Sequence, residues 1–176
     1  MNIEWLDPKD VSPHEDVDER LLRDRDREMH SGTVYPIVVE RNRLFVIDGH
    51  HRWFVALDLG VKLPAILVNY DSVHNSSWKL KARLYGSAMG DMCSEIREIA
   101  VTFGDDYYAF YWSLHDKIVS AGHDPIAVKS KDEGCPLPPL PKREIFRAVS
   151  LGIVYPPKTT RHLFDFKVRP VNIKLS

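Results

Sequence analysis

The stretch Val46-Ile47-Asp48-Gly49-His50-His51-Arg52 ends an apolar strand in Asp-Gly and opens a helix with two histidines and an arginine. That junction gathers the group types a phosphate site needs. Gly49 permits a tight turn and close backbone approach, and a helix start offers unpaired N–H groups with a partial positive charge. His50, His51 and Arg52 add side-chain donors, and Asp48 adds a carboxylate able to hold a metal ion or orient a hydroxyl. The indicated chemistry is that of phosphate.

A second polar cluster, Tyr155-Pro156-Pro157-Lys158-Thr159-Thr160-Arg161-His162, has neither helical nor strand periodicity. Its prolines pre-set the backbone and lower the entropy cost of holding a loop shape. Lys158, Thr159, Thr160, Arg161 and His162 supply two fixed charges, two hydroxyls and an imidazole, a set suited to an anion with several oxygens. Taken singly, either cluster also reads as an exposed basic turn. Their co-occurrence in one small chain favours function.

The elements that must position these groups are legible in outline. Ile3 to Leu6 reads as a first strand, and Asp16 as the cap of a helix running to about His30, its RDRDRE centre solvated. Tyr35 to Glu40 and Arg43 to Ile47 form a hairpin through Arg41-Asn42. The helix from His50 to Leu59 has an apolar stripe of Trp53, Ala56, Leu57 and Leu59, with Gly60 as its C-terminal stop. Pro64 to Asn69 is apolar enough for a central strand. Together these residues describe a compact α+β unit. The middle of the chain is helical, over Met89 to Thr102 and Tyr107 to Ser120, with the aromatic cluster 107–112 read as core. Lys129 to Lys142 reads as an exposed, proline-rich spacer, followed by a helix over Arg143 to Leu151 and a last strand within Leu163 to Ile173.

Composition bounds the rest. With 176 residues, 44% of them hydrophobic, the chain is expected to form one domain around one core. A net charge of -1 and a pI near 6.7 argue against a protein that coats nucleic acid. Cys93 and Cys135 show no CxxC spacing, so neither a disulfide framework nor a zinc ribbon is expected. The first ten residues lack a basic and apolar leader, and no apolar run is long enough to span a membrane, so a cytoplasmic protein is the expectation.

Pro13-His14-Glu15 before a helix, then PIVVERNRLFVIDGHHRWFVALDLG, Ala65 to Tyr70 and finally YPPKTTRH resemble the free serine kinases, enzymes built on the ParB/sulfiredoxin-like fold. The likeness covers roughly residues 5–71 and 143–173. Motifs related to DGHHR occur across the fold superfamily; its combination with PPKTTRH is much more specific. The resemblance implies a single α+β domain: a small mixed sheet with helices as core (1–71 and 143–176), plus a helical insert at about 75–141. It implies phosphoryl transfer from ATP or ADP to the hydroxyl of free L-serine, giving O-phosphoserine, with magnesium required. Glu15 maps to the proposed base, Asp48 and His162 to the other catalytic positions, and Trp78 to a tryptophan beside the serine. On the residues' own terms, Gly49 to Arg52 and Lys158 to Arg161 would hold the nucleotide phosphates, and Asp48 the magnesium.

Rival readings fare less well. A ParB-like nucleotide-binding or DNA-partition module is the main alternative, but no basic helix-turn-helix is apparent, and DGHHR stands where such proteins carry a GERR-like motif. Sulfiredoxin chemistry needs a cysteine where this chain has His50. A metal hydrolase drawing on His14, Asp48, His50, His51 or His162 is disfavoured because adjacent helix residues point about 100° apart.

Overall fold

The computed structural model describes residues 1–84 and 92–175. The chain folds as two compact units, one of Met1–His74, Ala148–Val154 and His162–Ser176, the other of Asn75–Arg147 and Tyr155–Arg161. The stretch Tyr155–Arg161, expected with the core, therefore lies in the second unit.

In the first unit the strands β1 (Glu4–Leu6), β2 (Thr33–Val34), β3 (Ile37–Glu40), β4 (Val46–Asp48) and β5 (Leu63–Val68) alternate with helices α1 (Glu19–His30) and α2 (His50–Leu59). Four of these strands form a mixed sheet in the order β1-β5-β3-β4. The run LPAILV makes β5 an inner strand: it pairs in parallel with β3, Val38 opposite Ile66, and antiparallel with β1, Trp5 opposite Pro64. All four residues of β3 are buried, as a near-continuous apolar run with parallel pairing requires. The hairpin of β3 and β4 is antiparallel, as expected. Its turn is closed from beneath by buried Glu40, whose carboxylate accepts from the N–H groups of Asn42 (3.0 Å) and Arg43 (2.5 Å). The α+β core read from the sequence is the fold observed.

Helix α2 has the expected bounds. Gly49 (φ 99°) and Gly60 (φ 66°) both adopt the left-handed conformation, and the Gly60 N–H bonds back to Ala56 and Leu57. Trp53 and Ala56 enter the core with Met29, Ile37, Val46 and Leu63, and the Trp53 indole donates to the Pro8 carbonyl at 2.8 Å. Helix α1 starts two residues later than expected. Asp18 is its cap, accepting from Arg20 N–H at 2.9 Å, because the Asp16 carboxylate is occupied with Val17 N–H at 2.8 Å.

Beyond β6 (His74–Ser76), the second unit holds β7 (Lys79–Leu80), α3 (Met92–Phe103), α4 (Tyr107–Ser120), β8 (Lys129–Ser130) and β9 (Cys135–Pro136), with β7 between β8 and β9. Helix α5 (Lys142–Leu151) and strands β10 (Arg161–Leu163) and β11 (Val171–Asn172) complete the chain. The expected helix start at Met89 lies outside the described residues. Within 107–112, Phe110 and Tyr111 are buried as anticipated.

Two expectations fail here. The segment Lys129 to Lys142 is no exposed spacer: Lys129, Cys135, Leu137 and Leu140 are buried. Its prolines punctuate short strands, and Leu137 N–H bonds the Trp78 carbonyl at 3.0 Å. Cys93 and Cys135 also form a disulfide across a separation of 42 residues, their Cα atoms 5.3 Å apart. The fold brings the two thiols together although their spacing carries no signal. Closing a loop of that length should contribute about 4 kcal/mol through the unfolded chain. Reduction, or Cys93→Ser, is therefore expected to lower the melting temperature by several degrees in calorimetry; an unchanged transition would contradict the staple.

Candidate functional site

The sheet of the first unit places the β4–α2 junction beside the loop carrying His14 and Glu15. His14 is fully buried, and its Nδ1 lies 2.7 Å from the Val46 carbonyl. A carbonyl only accepts, so that nitrogen carries the proton and donates. The His14 main-chain N–H in turn donates to His50 Nε2 at 3.1 Å. Beside it, the Asp18 N–H donates to His51 Nε2 at 2.9 Å. Each acceptor nitrogen must be unprotonated, which puts the proton of both helix histidines on Nδ1.

Burial pushes the three imidazoles the same way. Loss of hydration lowers the His14 pKa from 6.5 to about 4, the Val46 hydrogen bond opposing it only in part. His50 falls well below its ordinary value, through desolvation and then through its histidine neighbours His14, His51 and His162. Desolvation lowers His51 too, opposed by the carboxylates of Glu15 and Asp18. The two histidine donors of DGHHR are thus neutral imidazoles braced by main-chain N–H groups.

Glu15 is buried, with its Oε2 3.8 Å from His14 Nε2. His162 joins the same cluster from the far end of the chain. Its ring centroid lies 5.9 Å from that of His14, and its Nε2 sits 2.7 Å from the hydroxyl of buried Tyr70. Tyr70 and Phe45, with ring centroids 5.5 Å apart, pack beside this group. The sequence reading assigned no role to Tyr70; His14 entered it only within Pro13-His14-Glu15 and as a candidate ligand in the disfavoured metal-hydrolase reading.

The N-terminus of α2 is open. No side chain caps it, and its first turn holds no acidic residue. Asp48 is largely exposed and 3.6 Å from an Arg52 terminal nitrogen, whereas Arg52 Nε is buried without a hydrogen-bond partner. Burial lowers the pKa of this guanidinium, with Asp48 opposing. Gly49 is required twice over: its φ is left-handed, and a Cβ would lie 2.7 Å from Ile37 Cγ2 and 2.8 Å from Arg52 Nη2. Among the described residues, no group of three or more His, Cys, Asp or Glu side chains is arranged to hold a metal ion. A single exposed carboxylate does fit an ion that arrives on phosphates, since magnesium commonly takes only one or two protein carboxylates.

The second unit carries the loop Pro156–Arg161. Lys158 Nζ sits 4.4 Å from the centre of the Trp78 ring, with the Arg161 guanidinium 5.8 Å from it. Trp78 Nε1 donates to the Thr160 carbonyl at 3.0 Å. Two loop residues depart from the sequence reading. Lys158 directs its ammonium to the carbonyls of Ile126 (3.3 Å) and Lys129 (3.2 Å), and burial lowers its pKa. Thr159 is buried, its hydroxyl donating to the Pro156 carbonyl at 2.7 Å. Arg161 remains as a side chain of fixed charge, bonded to the Ser76 hydroxyl at 3.4 Å.

No protein-family model matches the chain. It is 28% identical to a "ParB-like protein" of Sulfolobus acidocaldarius, an alignment spanning 94% of this chain and 92% of the relative. It is 25% identical to an "ATP-dependent L-serine kinase" of Staphylothermus marinus, over 92% and 85% of the two chains. A solved free serine kinase in complex with AMP superposes with a TM-score of 0.63 at 19% identity, covering 98% of this chain and 91% of that one. This chain shares its fold with the free serine kinases. The resemblance read from DGHHR and PPKTTRH thus extends over the helical middle, where those motifs are silent. It is the free-serine-kinase fold that brings Glu15, residues 48–52 and His162 into one unit, as described above.

Two outcomes are expected from this geometry. His14 is neutral when folded and protonates near 6.5 when unfolded, so its contribution is complete above 6.5 and is lost as the pH falls toward about 4. That loss should amount to about 3 kcal/mol. Urea denaturation across this window should show it, and His14→Gln should flatten the profile; an unaltered profile would count against a neutral His14. Gly49→Ala should destabilise the fold by about 1–3 kcal/mol, and wild-type stability in that variant would contradict the packing at the junction.

Proposed function

We propose that the protein is a small-molecule kinase that transfers a phosphoryl group from ATP or ADP to the hydroxyl of free L-serine, giving O-phosphoserine. The reading rests chiefly on one observation: an uncapped helix N-terminus beginning at the Asp48-Gly49 turn, in the same unit as buried Glu15, whose carboxylate acts on His51. The relative described as an ATP-dependent L-serine kinase and the free serine kinase solved with AMP support both the reaction class and the nucleotide.

In this mechanism the N–H groups of the first turn of α2, together with Arg52, hold phosphate oxygens. The Nδ1–H groups of His50 and His51 are neutral donors to the same oxygens. Glu15 accepts the proton of the serine hydroxyl as its oxygen attacks the terminal phosphorus and the bond to the leaving nucleotide breaks. Such base catalysis is typically worth about 10²–10⁴-fold. His14 Nε2, an unprotonated acceptor, faces the Glu15 carboxylate at 3.8 Å. His162 holds a donor or acceptor at the same cluster through Tyr70. Magnesium, carried in on the nucleotide and bound by Asp48, would neutralise phosphate charge. In the second unit Arg161 and the loop from Lys158 to Thr160 contribute to nucleotide binding, and Trp78 to substrate binding.

No described helix is long and apolar enough to cross a membrane, and we assign the enzyme to the cytoplasm, with no nucleic-acid partner. The alternative is a ParB-like nucleotide-binding or DNA-partition module without kinase activity; the Sulfolobus relative is described as a "ParB-like protein".

The test is a matrix of ATP or ADP with magnesium against L-serine, L-threonine and homoserine, read by mass spectrometry. Wild-type protein should give phosphoserine, and Asp48→Asn should lose most of it while staying folded. Glu15→Gln should lower kcat by about 10²-fold or more with little change in nucleotide affinity. Nucleotide binding with no phosphorylated product in any reaction would overturn the kinase in favour of the ParB-like module.

A further inference from the structure

Lys129 lies in the segment that the sequence reading treated as a spacer, and none of the roles assigned above uses it. It is 4% exposed. An ammonium so deeply buried is costly unless its protons are accepted. Here they are: Lys129 Nζ donates to the carbonyls of Pro157 and Lys158, both at 3.0 Å. The bond is reciprocated, because Lys158 Nζ donates to the Lys129 carbonyl. Two lysines thus cross-brace strand β8 and the loop, each gripping the other's main chain.

The neighbouring carbonyls of the loop are held in the same manner. Thr159 Oγ1 holds that of Pro156, and Trp78 Nε1 that of Thr160. Four carbonyls between Pro156 and Thr160 are therefore tied by side-chain donors from the loop itself, β8 and Trp78. The bracing also maintains an unfavourable conformation. Lys158 has φ 59°, a left-handed value that non-glycine residues adopt at a cost. A turn with proline at its second position and positive φ at its third ordinarily takes glycine or asparagine there. Lys81 and Lys131 lie close enough to Lys158 to bear on its titration, and Asp124 acts on it in the opposite sense.

We propose that Lys129 is the positioning residue of the nucleotide-binding loop, fixing the shape in which Pro156–Arg161 meets the phosphates without itself touching them. The proposal rests on the nucleotide-binding reading above. Lys129 acts through the carbonyls of Pro157 and Lys158, so its loss should loosen nucleotide binding while leaving Glu15 and the chemistry of the first unit alone.

The test compares wild type, Lys129→Met and Lys129→Arg below their melting temperatures. Calorimetry with magnesium and ADP or ATP gives Kd, and steady-state assay gives KM and kcat. Lys129→Met should raise Kd and nucleotide KM about tenfold or more, with kcat at saturating nucleotide changed far less. Lys129→Arg, which keeps donors for both carbonyls, should recover part of the affinity. A folded Lys129→Met with wild-type Kd, or one that loses kcat at unchanged KM, overturns the proposal. Should Lys129→Met fail to fold, Thr159→Val removes the adjacent brace at Pro156: a raised Kd supports the proposal and a wild-type Kd overturns it. A wild type that binds nucleotide but transfers nothing sinks the kinase and leaves this comparison of Kd intact. A wild type that binds no nucleotide overturns both.

Discussion

Two hydrogen bonds at His14 set the geometry on which the first unit's chemistry depends. The imidazole donates to Val46 in β4, and the main-chain N–H donates to His50 at the start of α2. One residue thereby clamps its loop to both sides of the strand–helix junction, and Glu15, next in sequence, is delivered to that junction. Each such bond contributes only about 1 kcal/mol net, but leaving a buried donor unpaired costs about 1–3 kcal/mol. The clamp is therefore selective more than it is strong: alternative placements of the loop strand a buried polar group. It requires a neutral His50, whose Nε2 must accept, and burial favours that state.

The same logic appears in the second unit with different groups. There the loop Pro156–Arg161 is held by ammonium, hydroxyl and indole donors on its carbonyls. In both units, groups that a sequence reader assigns to a ligand turn out to hold the main chain. His50 and His51 accept from peptide N–H groups, and Lys158 and Thr159 donate to peptide carbonyls. Main-chain geometry, more than the number of charged side chains, then shapes what an anion would meet. Such main-chain positioning would let a chain of net charge -1 bind phosphate without a basic surface.

The fold was legible where local chemistry decides it. Helix α2 could be read to the residue because a helical apolar period lies between two glycines, and both glycines adopt positive φ. The hairpin of β3 and β4 and the inner strand β5 followed from apolar runs and turn residues in the same way. The candidate site was legible as motifs, but not as contacts. Tyr70 and His162 are 92 residues apart in sequence, and Cys93 and Cys135 are 42 apart. No periodicity links such pairs; only the folded chain does. Lys129 was missed for a related reason: proline-rich flanks signal exposure, whereas this segment is pinned inward by its disulfide and strand pairing.

The clamp turns on the protonation of the buried histidines. Nitrogen-15 NMR of selectively labelled histidine, with His14→Gln and His50→Gln used for assignment, would read it directly at neutral pH. Neutral rings with the proton on Nδ1 for His14, His50 and His51 are expected, unchanged on acidification well below 6.5 for His14. A doubly protonated imidazolium at His50 at neutral pH, a proton on its Nε2, or a His14 ring without its Nδ1 proton would contradict the clamp and with it the placement of Glu15.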